Sequence, residues 1–333
     1  MSIRLGYHIP YFHHTRTAEL FPTLVAQVRT AEASGFDLVT TMDHFYQPPL
    51  IGPPEGPMLE AYTLLGALAA VTDRVRLSTM VTGIGYRNPA LLAKMVTTLD
   101  VISRGRAVLG VGAGWHEREH HDYGYVFGTV AERFSRFEEA LGIAVPMLRG
   151  SRPQVEGRWF RAEDAVNEPR LRDDLPVLIG GGGEKKTFAF AAEHADHLNI
   201  ICTTSELPRK MAAVRTRCAE AGRDAAMLET SFATPLIIHE DGDQARKLLE
   251  EVLARSGVDV TGLTNSERAA ATDRFFVGTP AEVTGQLQER VLCHGVDGLM
   301  ANMLANAHDP DAIALAGRTL APLVGLTGTG AAK

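Results

Sequence analysis

The stretch Arg106-Ala-Val-Leu-Gly-Val-Gly-Ala-Gly-Trp-His116 decides the fold class of this chain. It is a short apolar run that breaks into glycines at positions 110, 112 and 114. Such a run is typical of a parallel strand buried on both faces, and glycines at its end let another group approach the backbone closely. The apolar run Pro176–Ile179 is followed in the same way by Gly180-Gly-Gly-Gly183. Together the two segments predict buried strands whose bare ends can hold an extended ligand.

Apolar strands alternate with helical patterns along the whole chain. The predicted strands are Ile3–Ile9, Phe36–Met42, Val75–Thr82, Arg106–Val111, Pro176–Ile179, His197–Cys202, Ser231–His239 and Gly298–Met303. The clearest predicted helices are Ala18–Ala33, Met58–Val71, Val130–Leu148, Asp243–Arg255 and Pro280–His294. Eight strand–helix units without a linker predict an α/β protein, a (β/α)8 TIM barrel, and a doubly wound open sheet is the alternative.

The same pattern predicts how the chain is divided. Residues 1–325 are expected to form a single barrel domain, followed by a flexible C-terminal tail at 326–333. The segment Gln154–Phe160 predicts a hairpin outside the barrel. Two long segments, Leu50–Pro57 and Gly257–Ala271, predict insertions at the C-terminal face of the strands, where either could close over an active site.

The composition argues against several classes of protein. The 333 residues carry a formal net charge of −7 and no basic stripe, so nucleic acid is not an expected partner. Three widely spaced cysteines are typical of reduced thiols. The sequence has neither a signal-peptide pattern nor an apolar run of membrane length, which predicts a soluble, cytoplasmic protein without a membrane partner.

Polar residues follow the second and third predicted strands. Asp43-His44 comes directly after the second strand, and histidine is the usual proton donor or acceptor near neutral pH. Asp43 could orient this histidine, although a helix-capping aspartate beside a structural histidine is the simpler alternative. The hydroxyls of Thr79 and Thr82 could bond the carbonyls and ring nitrogens of a heterocycle. Barrel active sites lie at this end of the strands, so all four residues are candidates.

The glycines at 180–183 precede a predicted helix. Exposed N–H groups at such a turn, reinforced by the helix dipole, can bind an anion. The spacing matches neither the dinucleotide-binding fingerprint nor the phosphate-binding loop of nucleotide hydrolases. A phosphate site in the later strand–helix loops is common in barrels, so we expect an anion site here, with a plain loop as the alternative.

The segment His116-Glu-Arg-Glu-His120 matches H-E-x-x-H, the pattern of zinc proteases. On a helix, the two histidines would share one face and Glu117 could act as a general base. The segment begins at a glycine turn and reaches Gly124 within two turns, which disfavours a long metal-binding helix. We therefore expect no metal here but a polar first turn over the pocket, with Trp115 packed on whatever lies there.

Taken in order, these motifs resemble the bacterial luciferase-like superfamily of flavin and deazaflavin oxidoreductases, especially its coenzyme F420 branch. The residues that carry the resemblance are Asp43-His44, Thr79-Met-Val-Thr82, Arg87-Asn-Pro89, Gly110-Val-Gly-Ala-Gly-Trp115, Ile179-Gly-Gly-Gly-Gly183 and Val277-Gly-Thr-Pro280. The resemblance implies a TIM barrel with an insertion after the seventh strand. It also implies a cofactor ring that lies across the C-terminal ends of the strands.

Specific site residues follow from the resemblance. The cofactor-binding residues that it implies are Asp43, Thr79, Met80, Thr82, Gly112, Ala113, Gly114, Trp115, Gly181, Gly182, Gly183, Lys185 and Lys186. A non-proline cis peptide at Thr79-Met80 would support the ring, and Gly182, Gly183 and the lysines would take the phosphate. His44 matches the active-site histidine of deazaflavin-dependent sugar-phosphate dehydrogenases.

One position departs from the family pattern. Those dehydrogenases carry a catalytic glutamate directly after the glycines of strand four, where this chain has Trp115, and Glu117 is out of register. Sugar-phosphate oxidation is therefore not the expected reaction.

The sequence thus predicts an oxidoreductase that moves a hydride between F420 and an unidentified small organic substrate, with His44 catalytic. An FMN-dependent monooxygenase is the alternative, because the two cofactors share a ribityl phosphate. A non-catalytic cofactor-binding protein and a zinc hydrolase are the remaining readings. Family members are often dimers, which is the ground for expecting a homodimer.

Overall fold

The computed structural model describes residues 2–12, 16–49, 51–257, 264 and 272–326. Its strands are β1 Leu5–Ile9, β2 Leu38–Thr41, β3 Arg76–Thr79, β4 Thr82–Gly83, β5 Leu109–Gly112, β6 Gln154–Glu156, β7 Arg161–Glu163, β8 Val177–Gly181, β9 His197–Ile200, β10 Glu229–Ile238, β11 Phe276–Gly278 and β12 Gly298–Asn302. Its helices are α1 Thr17–Ala33, α2 Ala61–Ala69, α3 Pro89–Ser103, α4 Glu117–Asp122, α5 Val130–Leu148, α6 Thr187–His194, α7 Leu207–Glu220, α8 Gly242–Arg255, α9 Pro280–Arg290 and α10 Pro310–Leu320.

The parallel strands form a barrel. Neighbours follow the order β3-β2-β1-β12-β10-β9-β8-β5-β4, in which β3 and β4 are two parts of the third predicted strand. The ring closes because Leu77 N–H bonds the Arg106 carbonyl at 2.9 Å and Val108 N–H bonds the Leu77 carbonyl at 3.0 Å. All eight predicted strands are therefore present, and the (β/α)8 barrel is confirmed. The short β11, which the sequence pattern did not reveal, pairs with the end of β10.

The third strand differs from its prediction. It is interrupted between β3 and β4, and the non-proline cis peptide is Met80–Val81 rather than the predicted Thr79–Met80. Regular pairing extends through Thr79, which lies opposite Thr41 of β2, and the Met80 N–H still bonds the Thr41 carbonyl at 2.9 Å. The backbone leaves the β2 ladder only after Met80, so the cis bond falls one residue later.

Glycines on β5 and β8 are required by what lies against them. A Cβ on Gly110 would lie 1.9 Å from the Thr79 carbonyl oxygen. A Cβ on Gly112 or Gly180 would lie 2.9 or 2.8 Å from the side chain of Val81. The glycines of β5 and β8 therefore leave room for the interrupted third strand to pack closely against them. The side chain of Val81 fills the space that the sequence analysis predicted a ligand would occupy.

The described residues form three buried apolar clusters, and two of them position the site. The larger one packs the helices against the outer faces of the strands. A smaller cluster fills the interior with side chains from opposite sides of the ring: Ile3, Leu38, Val108, Leu178 and Met300. Met80 and Val81 pack on this cluster, so the interrupted strand lies directly on a filled barrel interior. The cavity above it must lie at the C-terminal ends of the strands.

The remaining predictions have mixed outcomes. The predicted hairpin is present as the antiparallel pair β6–β7, and α5 has the predicted bounds Val130–Leu148. The proposed insertion Gly257–Ala271 lies outside the described residues except at its first residue and at Thr264, and of the proposed tail only Leu326 is described.

Gly110→Ala is expected to lower the free energy of unfolding by about 3 kcal/mol, because the added methyl group meets a backbone oxygen that cannot move aside. Gly142→Ala on α5 is the matched control, since nothing lies within 4 Å of its Cβ. Urea unfolding of both variants measures the difference. Equal stability of the two variants would show that β3 and β5 do not approach as described.

Candidate active site

Two neighbouring cavities open at the C-terminal ends of the strands. The first, which we call the His44 cavity, has a volume of about 220 Å³ and contains His8, Met42, His44, Met80 and Asn302 among its lining residues. The second, the Asn199 cavity, has a volume of about 480 Å³. His8, Met80, Pro235, Arg274 and Asn302 line both cavities. This is the end of the barrel at which the sequence predicted the active site.

His44 is held by a carboxylate that the sequence analysis did not select. Its Nδ1 lies 2.8 Å from Oε2 of Glu119, and the Glu119 side chain is fully buried. Glu119 also accepts the Tyr86 hydroxyl at 2.6 Å and the N–H groups of Phe45 and Tyr46 at 2.7 and 2.9 Å. The single carboxylate therefore receives four hydrogen bonds.

These hydrogen bonds determine the charge of Glu119 and the tautomer of His44. Burial alone would raise the pKa of Glu119, but the hydrogen bonds and charge of His44, with those of Tyr86 and the backbone, hold it at about 2. An ionised carboxylate can only accept, so His44 must donate from Nδ1. Its Nε2 is then the nitrogen available for proton exchange with a bound molecule.

Asp43 does not hold His44, contrary to the prediction. Its carboxylate forms a two-point ion pair with Arg87, at 2.5 and 3.0 Å, and Arg87 also bonds Glu60 at 2.6 Å. Burial raises the pKa of Asp43, and the charge of Arg87 opposes that rise. The physical reason for the correction is that the Arg87 guanidinium donates to both carboxylate oxygens of Asp43 at once, whereas the ring of His44 bonds Glu119 instead.

The two threonines of the third strand form a buried chain of hydroxyls. Thr79 donates to the Gly110 carbonyl at 2.8 Å, so Thr82 must donate to Thr79 at 2.9 Å and Tyr62 to Thr82 at 2.8 Å. This chain joins β3 and β4 to β5 across the interruption. Their proposed contact with a cofactor stays a prediction.

Of the other predicted residues, one lines both cavities and the rest lie beside His44 or along the end of β5. Met80 lines both, and the ring of Trp115, 59% exposed, lies edge-on to His44 with centroids 5.3 Å apart. Gly114 follows β5 with a φ of 79°, a conformation that favours glycine and turns the chain toward α4. Gly112 is covered by Val81, and the adjoining Ala113 is half-buried.

The predicted anion-binding residues line a separate groove of about 910 Å³, which we call the glycine groove. Gly182, Gly183, Lys185 and Lys186 lie on one side of it, directly before α6. No hydrogen bond within the described part of the chain uses the N–H groups of Gly182 and Gly183. Gly181, with a φ of 149°, precedes them at the end of β8. These residues are therefore gathered at one helix start, as predicted.

The H-E-x-x-H segment forms the short helix α4, capped by His116. Glu117 is exposed, and His120 bonds the His116 carbonyl through Nδ1 at 2.9 Å. Within the described ranges, no three His, Cys, Asp or Glu residues are arranged to hold a metal ion. The helix instead supplies Glu119, a residue inside the motif that the sequence analysis did not propose as functional.

The family model described as luciferase-like monooxygenase matches residues 3–297. The chain belongs to the luciferase-like monooxygenase family. Among its relatives, the F420-dependent glucose-6-phosphate dehydrogenase of Microbacterium testaceum (strain StLB037) is 30% identical over 269 residues, covering 75% of this chain and 77% of that protein. The family predicted from the ordered motifs is confirmed, and the family member described here is an oxidoreductase.

Solved structures agree in fold. The F420-dependent tetrahydromethanopterin reductase of Methanopyrus kandleri has a TM-score of 0.75 at 20% identity, covering 97% of this chain and 100% of that one. The FMN complex of a type II Baeyer–Villiger monooxygenase, the oxygenating constituent of 3,6-diketocamphane monooxygenase of Pseudomonas putida, has a TM-score of 0.76 at 18% identity, covering 98% and 100%. At these identities the likeness establishes the barrel alone.

Sequence reasoning missed four residues of the site. Glu119 was hidden inside the zinc-like motif, and His8, Asn199 and Asn302 sit within apolar strands without a motif of their own. The signal that could have found them is a polar side chain near the end of an otherwise apolar strand.

No helix in the described ranges is long and apolar enough to cross a membrane.

Glu119→Gln is expected to lower the free energy of unfolding by about 3 kcal/mol at pH 7, because the wild-type pKa falls from 4.5 to about 2 on folding. A lowered pKa stabilises the protein above pH 4.5, and this contribution is lost as the pH falls toward 2. Urea unfolding at several pH values measures it. Glu117→Gln, an exposed carboxylate on the same helix, is the control and should change little. A pH-independent difference for Glu119→Gln would contradict the assignment.

Proposed function

We propose that this protein transfers a hydride between F420 and a small organic substrate, with His44 as the catalytic proton donor or acceptor. The observation that carries the proposal is the buried Glu119 carboxylate, which holds Nδ1 of His44 at 2.8 Å, while His44 itself lines the His44 cavity. Nε2 is then the ring nitrogen that can exchange a proton with a molecule in that cavity. A histidine backed by a carboxylate is suited to taking and returning a proton. Hydride transfer to a carbonyl carbon requires a proton to be added to the oxygen, and hydride transfer from an alcohol carbon requires a proton to be removed from it.

The cavities fit a flat cofactor ring that carries a phosphate. Met80 and Val81 are among the residues that line the Asn199 cavity, whose volume is about 480 Å³ and whose surface is mostly apolar. The Asn199 side-chain oxygen is buried without a partner in the described part of the chain and could accept a hydrogen bond. The N–H groups of Gly182 and Gly183, with the two lysines of the glycine groove, would take the phosphate.

The choice of F420 over FMN rests on the relatives. When bound, F420 supplies a ring carbon that takes or gives a hydride, whereas FMN can also pass single electrons and activate oxygen. A relative that is 30% identical over 75% of this chain is an F420-dependent dehydrogenase. FMN monooxygenation is the second candidate, because a structure with the same barrel holds FMN. Trp115 stands where the deazaflavin-dependent sugar-phosphate dehydrogenases carry a glutamate, which argues against a sugar-phosphate substrate.

A side-by-side titration of the cofactor-free protein with F420 and FMN is the direct test. We expect F420 to bind more tightly. Replacing both Lys185 and Lys186 by Gln should weaken binding of either cofactor by roughly tenfold, because both carry the phosphate that the lysines would contact. The exposed Lys247→Gln on α8 is the control. Preference for FMN would move the assignment to a monooxygenase, and binding of neither would refute both.

His44→Ala is expected to lower turnover by about 10²- to 10⁴-fold while the F420 dissociation constant stays within a factor of two, because proton transfer is lost and the ring contacts remain. Absorbance of F420 with a panel of small alcohols, and of reduced F420 with small ketones, measures the rate. His121→Ala, an exposed histidine on α4, should retain full activity. Full turnover by His44→Ala would remove the histidine from the mechanism.

A further inference from the structure

A second histidine lies in the same cavity as His44. His8, on β1, is 6% exposed and lines both the His44 cavity and the Asn199 cavity. Its register partner on the neighbouring strand is Asn302, whose side-chain oxygen is buried without a partner in the described ranges. Adjacent parallel strands place paired residues side by side on the same face, so both side chains belong to the barrel interior.

The hydrogen bonds of His8 determine which ring nitrogen carries its proton. Nδ1 lies 2.9 Å from the Thr40 hydroxyl, and both side chains are buried. His8 Nδ1 is the only side-chain hydrogen-bond partner that the Thr40 hydroxyl has in the described part of the chain. If Nδ1 carried the ring hydrogen, the buried Thr40 hydroxyl would have no acceptor among its described partners. We therefore assign the hydrogen of the neutral ring to Nε2, so that Thr40 donates to Nδ1. That N–H is the polar group His8 offers to the cavities.

The two histidines have opposite electrostatic surroundings. His44 contacts the ionised carboxylate of Glu119, whereas His8 contacts the neutral hydroxyl of Thr40. Burial, with a smaller contribution from the charge of His44, lowers the pKa of His8 to about 4, so His8 is neutral at pH 7. Two titratable groups with opposed environments in one site are suited to different roles.

The cavity beside them is small and mostly apolar. Its volume is about 220 Å³, and its remaining lining is dominated by apolar side chains: Met42, Pro48, Ile51, Met80, Pro235, Phe275 and Leu304. A compact, largely apolar molecule fits such a space, with its one polar atom directed at the histidines.

We propose that His8 is a second catalytic residue, whose neutral Nε2–H donates a hydrogen bond to the oxygen of a small carbonyl or alcohol substrate in the His44 cavity. This inference rests on the proposed hydride transfer. In alcohol oxidation, the substrate C–H bond breaks with both its electrons, which leave as hydride to oxidised F420, while the O–H proton passes to His44 Nε2. The carbon–oxygen double bond forms as these bonds break, and reduction is the reverse. The oxygen carries more negative charge at the transition state than as a ketone, so a fixed neutral donor stabilises it.

His8→Leu removes the donor at similar apolar volume, and His8→Gln restores an N–H near the position of Nε2. With the F420 holoenzyme, acetone, cyclohexanone and the corresponding alcohols as probes, we expect His8→Leu to lower kcat by roughly 10- to 100-fold. The F420 dissociation constant should stay within a factor of two. His8→Gln should recover part of the loss, and His121→Leu, at an exposed site, should match the wild type.

Thr40→Val tests the tautomer without removing the ring. It deletes the hydroxyl that fixes Nδ1, so kcat should fall and the loss should not add to that of His8→Leu. Nitrogen NMR of wild-type protein labelled with 15N in its histidine rings should show His8 as a neutral ring protonated at Nε2. This measurement reports the tautomer without requiring turnover.

Several results would overturn the role of His8. These are wild-type kcat in His8→Leu, a His8 signal protonated at Nδ1, or an F420 holoenzyme that acts on none of the carbonyl and alcohol probes. If the protein still binds F420 in any of these cases, the proposed hydride transfer stands and only the role of His8 is lost. Failure to bind F420 would refute the proposed function itself.

Discussion

The buried carboxylate of Glu119 is the interaction on which the candidate site depends. Its four donors come from two other segments: the turn after β2 supplies His44, Phe45 and Tyr46, and the turn after β4 supplies Tyr86. Glu119 itself lies on α4, after β5. One charge therefore joins the loops that follow three neighbouring strands. A buried carboxylate is costly unless several donors surround it, so these loops are coupled, and displacing one leaves the charge uncompensated in the others.

The interrupted third strand imposes a second constraint. Val81 packs against Gly112 and Gly180, and Thr79 bonds the Gly110 carbonyl. Any side chain at these glycines would push the strand away from its neighbours. The interruption brings Met80 to the wall of both cavities, above the apolar floor of the barrel. Packing at the bottom of the site and access at its top are therefore two consequences of the same backbone arrangement.

Charge is distributed unevenly around the cavities. One histidine is backed by an ionised carboxylate and the other by a hydroxyl, and the ion pair of Asp43 with Arg87 lies nearby but is used within the protein. In a mostly apolar cavity each of these differences has a large effect, because little solvent screens it. The proposed division of roles, with His44 exchanging a proton and His8 donating a hydrogen bond, therefore depends on the neighbour of each ring.

The sequence by itself determined the barrel and its family, because strand–helix alternation and ordered motifs are local patterns. It also located His44 and the glycines before α6, since residues that follow parallel strands must gather at one face. It could not reveal that Glu119 rather than Asp43 holds His44, nor that His8 shares the cavity. These assignments depend on which side chains meet across the loops of different strands, and residues separated by 75 positions, such as His44 and Glu119, leave no periodic trace in the chain. Only the tertiary structure decided them, because a hydrogen bond requires two atoms within about 3 Å.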